Sequence, residues 1–559
     1  MPPLKSAPVN ALTREFDALR ARVQTTRGAG LWRALDELAA SRGFDVWLRA
    51  EHPQLATMAA MNRRDFLRYA AASMALGGIA ACSRPPAETI VPMRMGPEQL
   101  GVGQPEFYAS AVSIDGYANG VLVESHEGRP TKIEGNPQHA ASLGSTDVFA
   151  QATVLDVWDP DRSQAVLKNG EVSTWGEATS ALVALAQQAD AGAGLHLLTG
   201  ALASPCLHAQ IADLQQRLPK LRHHVWQPWS RDNIHDGARL AFGRPLDPVY
   251  RFADAQIIVA LDADFLAREP GHVRYARDFI DGRRITADQS PRMNRLYVAE
   301  PTESLSGAMA DHRLAIASRD VAAVAQALAA RLGLGAARSV PLDAAAQAWI
   351  DDASADLLAH HGKALVLAGE SQAPQVHALV AAVNARLAAP ISYRDTDSNE
   401  TSLDALTTLA AELNAGRVRG LLMLDVNPVY DAPTSLRFGD ALRRAGTSFH
   451  LGLYADETAQ LSHWHLPQAH ALESWSDARA HDGTISIVQP LMAPLYEGRS
   501  PHEVLAIWQQ QVAAKGFDLL RTYWRQRHPD DFDRFWETGL RSGVIEAASA
   551  PLPTPSVRE

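Results

Sequence analysis

Residues 255–261 read Ala-Gln-Ile-Ile-Val-Ala-Leu and are followed by Asp262. From Ile257 to Leu261 the run is apolar without interruption, which is typical of a strand that helices cover on both faces of a parallel sheet. Similar runs occur at 195–198, 296–298, 364–367 and 420–424. Ala- and Leu-rich stretches with helical spacing lie between them, at 178–189, 321–332 and 376–387.

This alternation of strands and helices predicts an α/β protein with doubly wound parallel sheets. Several strands end in Gly or Asp, at the edge where such sheets bind ligands. Residues 108–162 differ, because β-branched runs at 120–125 and 131–134 flank the turn Glu127-Gly128-Arg129-Pro130. We therefore expect a small β-rich first domain that precedes the parallel-sheet domains.

Composition excludes several classes of function. The chain has 559 residues, and 52 Lys and Arg against 63 Asp and Glu give a net charge of −11. This balance argues against nucleic acid as a general partner, which would need a basic face. The two cysteines, Cys82 and Cys206, cannot form a disulfide framework, a four-thiolate iron–sulfur cluster or a structural zinc site within this chain.

Residues 61–82 resemble an export signal. Arg63-Arg64 and Phe66-Leu67 precede an apolar run at 69–81, which is shorter than the ~20 residues of a spanning helix. The arginine pair resembles the twin-arginine signal, and Ile79-Ala80-Ala81-Cys82 resembles a lipobox in which Cys82 is acylated. A buried Ala-rich helix is the alternative interpretation. The signal predicts a protein on the periplasmic side of the bacterial inner membrane, exported by the twin-arginine route.

Changes in composition suggest the organisation of the chain. Leu31, Leu35 and Leu38 give an amphipathic pattern within a leader that precedes the signal. The expected segments are a leader at 1–60, the signal at 61–82, a linker at 83–107, the β-rich domain at 108–162, α/β domains at 163–335 and 336–500, and a C-terminal helical segment and tail at 501–559.

Two stretches together resemble the molybdopterin oxidoreductase superfamily. The first runs from 117–120 through Gly128-Arg129 and 132–137 to Asp159-Pro160-Asp161-Arg162. The second contains Asn427-Pro428 and then the following elements in the family's order: 456–459, 465–467, Glu473, 482–484 and Gln489-Pro490. Their shared order covers most of residues 108–500. The resemblance implies doubly wound domains of the molybdopterin oxidoreductase type.

Together with the leader and the internal signal, the pattern is most similar to the molybdopterin-like half of the iron–sulfur subunit of alternative complex III, a quinol:electron-acceptor oxidoreductase. That resemblance implies a subunit without its own cofactor. Its expected partners are a ferredoxin-like iron–sulfur protein, a membrane quinol-oxidising subunit and haem c subunits. This chain ends before any ferredoxin half: either that half is a separate chain, or this is a truncated or split version. The clusters are expected on a partner.

The positions that carry the family's chemistry differ here. Catalytic members place a cluster-binding Cys and a Lys between cluster and pterin, where this chain has Asp147 and Phe149. Residues 317–320 read Ala-Ser-Arg-Asp where the family has a Pro-Gly-Thr-Asp diphosphate turn. Losing the Gly removes the close backbone approach that a phosphate cradle needs. The weak remaining candidates for a dinucleotide are Glu300, which stands where the family pattern has a guanosine-binding acid at the end of a strand, and Arg319, Asp320 and Asn427.

Other chemistry-bearing residues have structural alternatives that we favour. Cys206 and Ser230 are candidate molybdenum ligands, but a lone apolar-flanked Cys is more often a core residue and Ser230 suits a helix N-cap. His463, His465 and His470 could bind a metal, although packing between layers is the simpler interpretation. Asp262 and Asp264 could form an acid pair, but strand-end Asp residues more often cap the next helix. We expect no catalytic and no metal-binding residue.

Two hypotheses of different classes follow. The first is an exported, cofactor-free scaffold that holds an iron–sulfur partner in a quinol-oxidising respiratory complex. The second is a molybdenum or tungsten enzyme that binds bis-molybdopterin guanine dinucleotide and takes its cluster from another subunit. A doubly wound sugar or nucleotide binder is a third interpretation, because a fold alone does not determine function.

Overall fold

A computed structural model describes residues 104–284, 293–335, 342–396, 402–547 and 555–558, together with a few positions between 18 and 41. Close contacts divide the chain into two units, Met1–Leu100 and Gly101–Glu559. In the first unit, Arg22 Nη1 donates to Glu37 Oε2 at 2.7 Å. Outside the described residues lie the leader positions Leu31, Leu35 and Leu38, the signal residues Arg63, Arg64, Phe66 and Leu67, and the lipobox residue Cys82.

The second unit begins with an antiparallel sheet, as the sequence predicts. Its strands are β1 (Glu106–Ile114), β2 (Tyr117–His126) and β3 (Arg129–Gly135), in that spatial order. Between β2 and β3, Glu127 and Gly128 both have positive φ, at 53° and 81°. Such a two-residue turn matches the twist of a hairpin and favours Gly at its second position.

The largest sheet has the order β5-β4-β16-β15-β14-β6-β7. Its central strands are parallel, and short β4 and β5 are antiparallel at one edge. The bounds are β4 Leu167–Lys168, β5 Glu171–Val172, β6 Leu195–Thr199, β7 Arg222–Val225, β14 Gly420–Leu424, β15 Thr447–Gly452 and β16 Trp464–Pro467.

A second parallel sheet has the order β11-β10-β9-β12. The described residues also form two further antiparallel sheets, β8-β13 and β17-β18-β19. The bounds are β8 Leu246–Tyr250 paired with β13 Ile391–Asp395; β9 Ile257–Leu261, β10 Arg295–Glu300, β11 His312–Ala315 and β12 Ala364–Ala368; and β17 Ser476–Arg479, β18 Ile485–Val488 and β19 Val544–Glu546.

The helices cover these sheets. Their bounds are α1 Val148–Asp156, α2 Trp175–Gln188, α3 Pro205–Arg217, α4 Asp232–Phe242, α5 His272–Asp281, α6 Leu305–Ala308, α7 Val321–Arg331, α8 Ala344–Ala359, α9 Pro374–Arg386, α10 Ser402–Asn414, α11 Pro428–Asp431, α12 Phe438–Leu442, α13 Glu457–Leu461, α14 Pro501–Trp508, α15 Gly516–Arg527 and α16 Phe532–Ser542. Within the described part of the chain, no helix has the length and apolar character that crossing a membrane requires.

Each parallel sheet carries a buried cluster on both faces. Helices α7, α8 and α9 pack on one face of the smaller sheet, and Phe252, Phe265 and α5 pack on the other. On the larger sheet, α2, α3 and α14 cover one face and α10 and α12 cover the other. The prediction of doubly wound parallel sheets is therefore confirmed, and the unbroken apolar strands are explained by burial on both sides.

The sheets do not follow the predicted domain boundary at residue 335. β6 and β14 pair in the larger sheet, and β9 and β12 pair in the smaller one, so each sheet takes strands from both predicted α/β segments. The C-terminal segment also contributes a strand, because β19 pairs with β18. The order of the strands along the sequence does not show which distant strands pair, because parallel strands are joined through long crossovers.

Candidate functional site

A cavity of about 390 Å³ lies beside the carboxyl ends of β6 and β7. The turn before β2, the β6–α3 loop, the β7–α4 loop and the end of β17 form its walls. Its polar lining includes Tyr117, His208, His223, Arg231, Asp232, His235, Asp247, Arg394, Arg479 and His481. This position agrees with the general rule that open parallel sheets bind ligands outside the carboxyl ends of their strands.

A buried charge cluster around Arg231 forms one side of the cavity. Arg231 Nε donates to Asp247 Oδ1 at 3.1 Å, and Nη1 donates to Glu370 Oε1 at 3.2 Å. Glu269 Oε2 lies 3.9 Å from the same Nη1. One guanidinium therefore faces three carboxyl groups, so the cluster stays acidic even when one of them is protonated.

The three carboxyl groups differ in acidity. Burial alone would raise the pKa of Asp247, but the Arg231 charge and the hydrogen bond from His235 Nε2, at 2.9 Å, hold it at about 2. Burial and the neighbouring charge of Glu370 raise the pKa of Glu269 well above its usual value. Tyr117 donates to Asp247 Oδ2 at 3.3 Å, and burial raises its pKa. The cluster thus keeps Asp247 ionised and favours a protonated Glu269.

Sequence reasoning missed this cluster. Asp247, Glu269 and Glu370 lie in three separate segments, and no local spacing relates them to Arg231. The only sequence signal near the cluster was Ser230, which precedes Arg231 in the chain. Ser230 lines the cavity and its Oγ lies 3.5 Å from the Asp232 N–H, whereas the N-cap of α4 is Arg231, one residue later than predicted.

Glu300 ends β10, where the resemblance places a guanosine-binding acid, but protein groups surround its carboxylate. Arg313 Nε donates to Oε1 at 2.6 Å, and Ser304 Oγ donates to Oε2 at 2.6 Å. A Cβ on Gly307 would meet the same carboxylate. Glu300 is therefore buried and hydrogen-bonded, and it fixes the start of α6 rather than facing a ligand site.

The turn at 317–320, which matches the family's diphosphate turn, lies at the protein surface. Ser318–Asp320 form a short 3₁₀ helix, and Ala317 before it has ordinary extended backbone. The Arg319 side chain is 86% exposed and lies 3.8 Å from the Asp320 carboxylate. The turn thus presents Cβ atoms where a cradle would present bare backbone. Because Arg319 is exposed and already lies beside an acid, it is a weak substitute for the backbone groups of a phosphate cradle.

Asp147, at the family's Cys position, has a structural role. It is the N-cap of α1 and accepts from the Ala150 N–H at 2.7 Å, while its Oδ2 lies 2.8 Å from His272 Nε2. Burial would raise the pKa of Asp147, but the hydrogen bonds from His272 and Ala150 hold it below its usual value. Phe149, at the Lys position, is exposed on α1.

Framework residues of the resemblance do meet in space. Arg162 and Glu473 form a buried bidentate ion pair, with Nη2 donating to Oε2 at 2.7 Å and Nη1 to Oε1 at 3.1 Å. Asn427, after β14, binds the first turn of α13: its Nδ2 donates to Glu457 Oε2 at 2.8 Å and its Oδ1 accepts from Thr458 Oγ1 at 2.7 Å. Asn427 lies beyond the carboxyl end of β14 in the larger sheet, whereas Glu300 ends β10 and Arg319 follows β11 in the smaller one.

Cys206 is a core residue, which is the interpretation we favoured. It packs with Ile485, Leu520 and Trp524, and burial raises the pKa of its thiol. Its backbone N–H donates to Asp477 Oδ1 at 3.3 Å. A neutral thiol in this surrounding is a poor metal ligand, because thiolate is the binding form.

The candidate metal histidines have separate protein partners. His463 Nδ1 lies 2.9 Å from Ser448 Oγ, and His470 caps the 3₁₀ helix Ala471–Glu473. His465 stacks on His450, with 3.0 Å between their Nδ1 atoms. In the part of the chain that the structure describes, no cluster of His, Cys, Asp and Glu is suited to a metal ion.

Asp262 and Asp264 point to different neighbours and do not form an acid pair. Asp262 Oδ2 accepts from Ser371 Oγ at 2.9 Å and Gln372 Nε2 at 2.8 Å. Asp264 Oδ1 accepts from the backbone N–H and the hydroxyl of Ser306, at 3.0 and 2.7 Å. Asp264 thus binds the first turn of α6, which follows the neighbouring strand β10, rather than the next helix in the chain.

These observations test whether a bis-pterin guanine dinucleotide fits. The cavity of about 390 Å³ lies near the lower end of the ~300–1,000 Å³ that a single drug-sized ligand occupies. Its Arg231 cluster is acidic, Glu300 is bound internally, and the matched turn lacks bare backbone. The residues present do not fit a cofactor with two pterins and four phosphates.

No family model matches the chain. A curated relative, the menaquinone reductase, molybdopterin-binding-like subunit of Nitratidesulfovibrio vulgaris, is 24% identical over 475 residues, covering 75% of this chain and 67% of the relative. The solved structure of acetylene hydratase from Pelobacter acetylenicus matches with a TM-score of 0.57 at 13% identity, covering 72% of this chain and 69% of that protein. The chain is molybdopterin oxidoreductase-like, as the sequence resemblance predicts.

Proposed function

We propose that this chain is an exported, cofactor-free, molybdopterin oxidoreductase-like subunit of a membrane-associated, quinone-linked electron-transfer complex of the alternative complex III type. It holds an iron–sulfur subunit in place, next to a membrane quinol-oxidising subunit and haem c subunits. The name of the relative from Nitratidesulfovibrio vulgaris supports a role as a subunit of a quinone-linked complex. The electrons pass through cofactors on the partners.

The environment of Glu300 carries this proposal. An acid that recognises guanosine must present its carboxylate to the ligand, but here Arg313 and Ser304 already hydrogen-bond both oxygens. Displacing these charge-assisted hydrogen bonds would cost about 1.5–3 kcal/mol each. Gly307 permits this close packing, since any Cβ there would collide with the carboxylate. Gly307 therefore makes room for the internal ion pair between Arg313 and Glu300 rather than for a cofactor.

The cofactor proposal is tested by metal and pterin analysis of the chain purified from its own host. We expect neither molybdenum nor tungsten at stoichiometric level, and no pterin fluorescence after oxidation. A molybdenum enzyme of the same host, purified in parallel, shows that cofactor survives the procedure. Near-equimolar metal together with pterin would overturn the scaffold and favour the bis-pterin enzyme with its cluster on another subunit.

Export is tested at the arginine pair of the signal. Arg63→Lys/Arg64→Lys should leave the protein in the cytoplasm, because lysine does not reproduce the guanidinium groups of a twin-arginine signal. Arg68→Lys in the same region is the matched control and should be exported. Unchanged export of the double variant would contradict the proposed route.

Anchoring is tested at Cys82. If this cysteine is acylated, the mature chain begins there and partitions with membranes through its lipid. Mass spectrometry of the mature N-terminus should find a diacylglyceryl-modified Cys82. A mature chain that retains residues 1–81, or carries an unmodified Cys82, would contradict the lipid anchor.

A further inference from the structure

The loop between β9 and α5 contacts the segment before α4 at two neighbouring points. Arg268 Cζ lies 4.3 Å from the centre of the Trp229 ring, and Glu269 Oε2 lies 3.9 Å from Arg231 Nη1. The loop then enters α5 at Gly271, whose φ of 91° is in the region that favours glycine. Glu269 thus lies two residues from a position at which the chain can change direction.

The carboxyl groups at the second contact lack hydrogen-bond donors. The Glu269 side chain is 7% exposed, and among the described residues its carboxyl group has Arg231 at 3.9 Å but no hydrogen bond. Glu370 Oε1 accepts from Arg231, whereas Glu370 Oε2 is buried and has no partner in the described part of the chain. Buried polar groups without partners are costly. A proton on Glu269 supplies a donor, because a protonated carboxyl carries an O–H and an ionised one only accepts.

The charges around Glu269 favour the same proton. The groups that face Glu269 are Arg231 before α4, Glu370 after β12, Tyr250 on β8, Tyr275 on α5 and Asp264 in the same loop. Around them lie Asp247, His235 and Tyr117 beside the guanidinium, His481 against Tyr275, and Arg268 before Glu269. Three carboxyl groups share one guanidinium, so an ionised Glu269 adds surplus negative charge to a buried site. Burial and the charge of Glu370 raise the pKa of Glu269, although Arg231 lowers it.

We propose that Glu269 is a pH-sensitive latch: with its proton the loop at 264–269 stays closed on the segment 229–231, and without it Glu269 leaves the cluster and the loop opens. The step breaks only the O–H bond of Glu269, and its proton passes to water. Arg231 keeps its bonds to Asp247 and Glu370. The other end of the loop stays attached, because Asp264 binds the N–H and hydroxyl of Ser306.

The direction of the pH dependence follows from hydration of the open form. There Glu269 is surrounded by water and has the ordinary pKa of glutamate, about 4.3. The open form therefore binds fewer protons than the closed form, and opening is favoured as pH rises. Arg268 stays charged throughout, so its contact with Trp229 does not supply this dependence.

The latch is tested by hydrogen exchange of peptides that cover residues 264–272 in the full chain. Exchange rates are measured at pH 6 and pH 7.5 and corrected for the intrinsic effect of pH on amide exchange. Opening should increase on the order of tenfold over this interval, because each pH unit favours the less protonated form by up to tenfold. Peptides from the buried strand β14 should show no such increase.

Two matched variants separate Glu269 from other carboxyl groups. Glu269→Gln keeps the shape, is uncharged at every pH and retains an N–H donor, so its loop should stay closed at both pH values. Glu303→Gln, at an exposed carboxylate, should open as the wild type does. Infrared spectra in D₂O should show the carbonyl band of a protonated carboxyl in the wild type at pH 6. That band should be absent from Glu269→Gln.

Three outcomes would overturn the latch. The first is wild-type loop exchange that does not change with pH, and the second is an increase in Glu269→Gln equal to that in the wild type. The third is a carbonyl band that persists in Glu269→Gln but is lost in Glu370→Gln, which would assign the proton to Glu370. If Glu269→Gln does not fold, the wild type decides: its carbonyl band must disappear over the same pH range in which the loop opens, and a different range contradicts the latch.

Discussion

Arg162 and Arg319 both lie in stretches that resemble the molybdopterin oxidoreductases, yet their environments are opposite. The Arg162 side chain is 2% exposed and forms a bidentate pair with Glu473, which is 0% exposed. The Arg319 side chain is 86% exposed and lies 3.8 Å from Asp320. Breaking a buried pair costs about 3–5 kcal/mol, whereas exposed pairs contribute about 0–1 kcal/mol.

The difference shows which parts of the family pattern the fold itself requires. Gln489 Nε2 donates to the carbonyls of Ala109 and Leu540, at 2.5 and 2.9 Å, and joins the first sheet to α16. Asn136 Nδ2 donates to the Ser542 carbonyl at 2.7 Å. These residues satisfy buried backbone groups between distant segments. They are needed whether or not a cofactor is bound, whereas the 317–320 turn is not.

The largest effect is expected when the buried pair is broken. Arg162→Met leaves the Glu473 carboxylate buried and unpaired, and should lower the free energy of unfolding by about 3–5 kcal/mol. Chemical denaturation measures the loss. Arg319→Met is the matched control and should change stability by no more than about 0.5 kcal/mol. Equal losses in the two variants would contradict the division between framework and exposed turn.

The double variant Arg162→Met/Glu473→Leu tests whether the two buried charges act as a unit. It removes both charges together, so no uncompensated charge remains in the core. We expect it to be more stable than Arg162→Met alone. If it is less stable by the sum of two independent losses, the pair does not act as a unit.

A second large effect should follow from pH, because two buried histidine pairs link neighbouring strands of the larger sheet. His196 Nδ1 lies 3.0 Å from His224 Nε2, and burial lowers the pKa of both to about 4. In the second pair, burial lowers the pKa of His450 to about 4 and that of His465 to about 3.

The sign follows from the direction of these shifts. An unfolded histidine has a pKa of about 6.5, so the unfolded chain binds more protons than the folded one between pH 6.5 and 4. The stability is fully present above pH 6.5 and is lost as pH falls through this window. Each shift corresponds to about 1.4 kcal/mol per pKa unit. We expect the apparent free energy of unfolding to be several kcal/mol lower at pH 4.5 than at pH 7.5.

Asp477 changes the pH dependence of stability in the opposite direction, so its contribution must be distinguished from that of the histidines. Burial raises its pKa to about 6, so the folded chain binds more protons here and this contribution grows as pH falls from 6 to 4. The variant His450→Gln/His465→Gln removes two groups that take up protons on unfolding. The free energy of unfolding should therefore fall less steeply with decreasing pH in this variant than in the wild type. His361→Gln, an exposed histidine, should leave the profile unchanged. An unaltered profile in the double variant would show that these rings do not control acid stability.

An intermediate effect is expected at Glu300, the residue at which framework and cofactor interpretations meet. Glu300→Gln keeps the shape but weakens the bonds from Arg313 and Ser304, so stability should fall by about 1.5–3 kcal/mol. Glu303→Gln, an exposed carboxylate in the next turn, is the control. Thermal unfolding measures both. A Glu300→Gln variant as stable as the control would indicate a carboxylate kept for a ligand.

The sequence predicts much of the fold because its signals are local. The apolar runs at 195–198, 364–367 and 420–424 lie in buried parallel strands, and the run at 255–261 begins shortly before strand β9. The expected helices at 178–189, 321–332 and 376–387 differ from the observed ones by a few residues. The hairpin turn at Glu127-Gly128 is also confirmed. Each of these follows from periodicity or backbone freedom within a few residues.

The sheet partners and the cavity could not be predicted in this way. β6 pairs with β14, more than two hundred residues later, and no local pattern encodes that choice. The Arg231 cluster likewise gathers Asp247, Glu269 and Glu370 from three separate segments. The family resemblance located Asp147 and Glu300, but only their contacts show that both are bound within the protein.

The smallest effect on stability is expected at Ala317, the first residue of the turn that matches the family's diphosphate turn. Ala317→Gly restores to the turn the residue that a phosphate cradle needs. Ala317 has φ −62° and ψ 142°, which alanine adopts without strain, so glycine adds only freedom to the unfolded chain. Stability should fall by about 0.4–1 kcal/mol in denaturant unfolding. The variant should still contain no pterin, because the bound Glu300 carboxylate and the acidic Arg231 cluster remain. Pterin acquired by this single substitution would show that the turn alone excluded the cofactor, and that the rest of the site had kept its binding geometry.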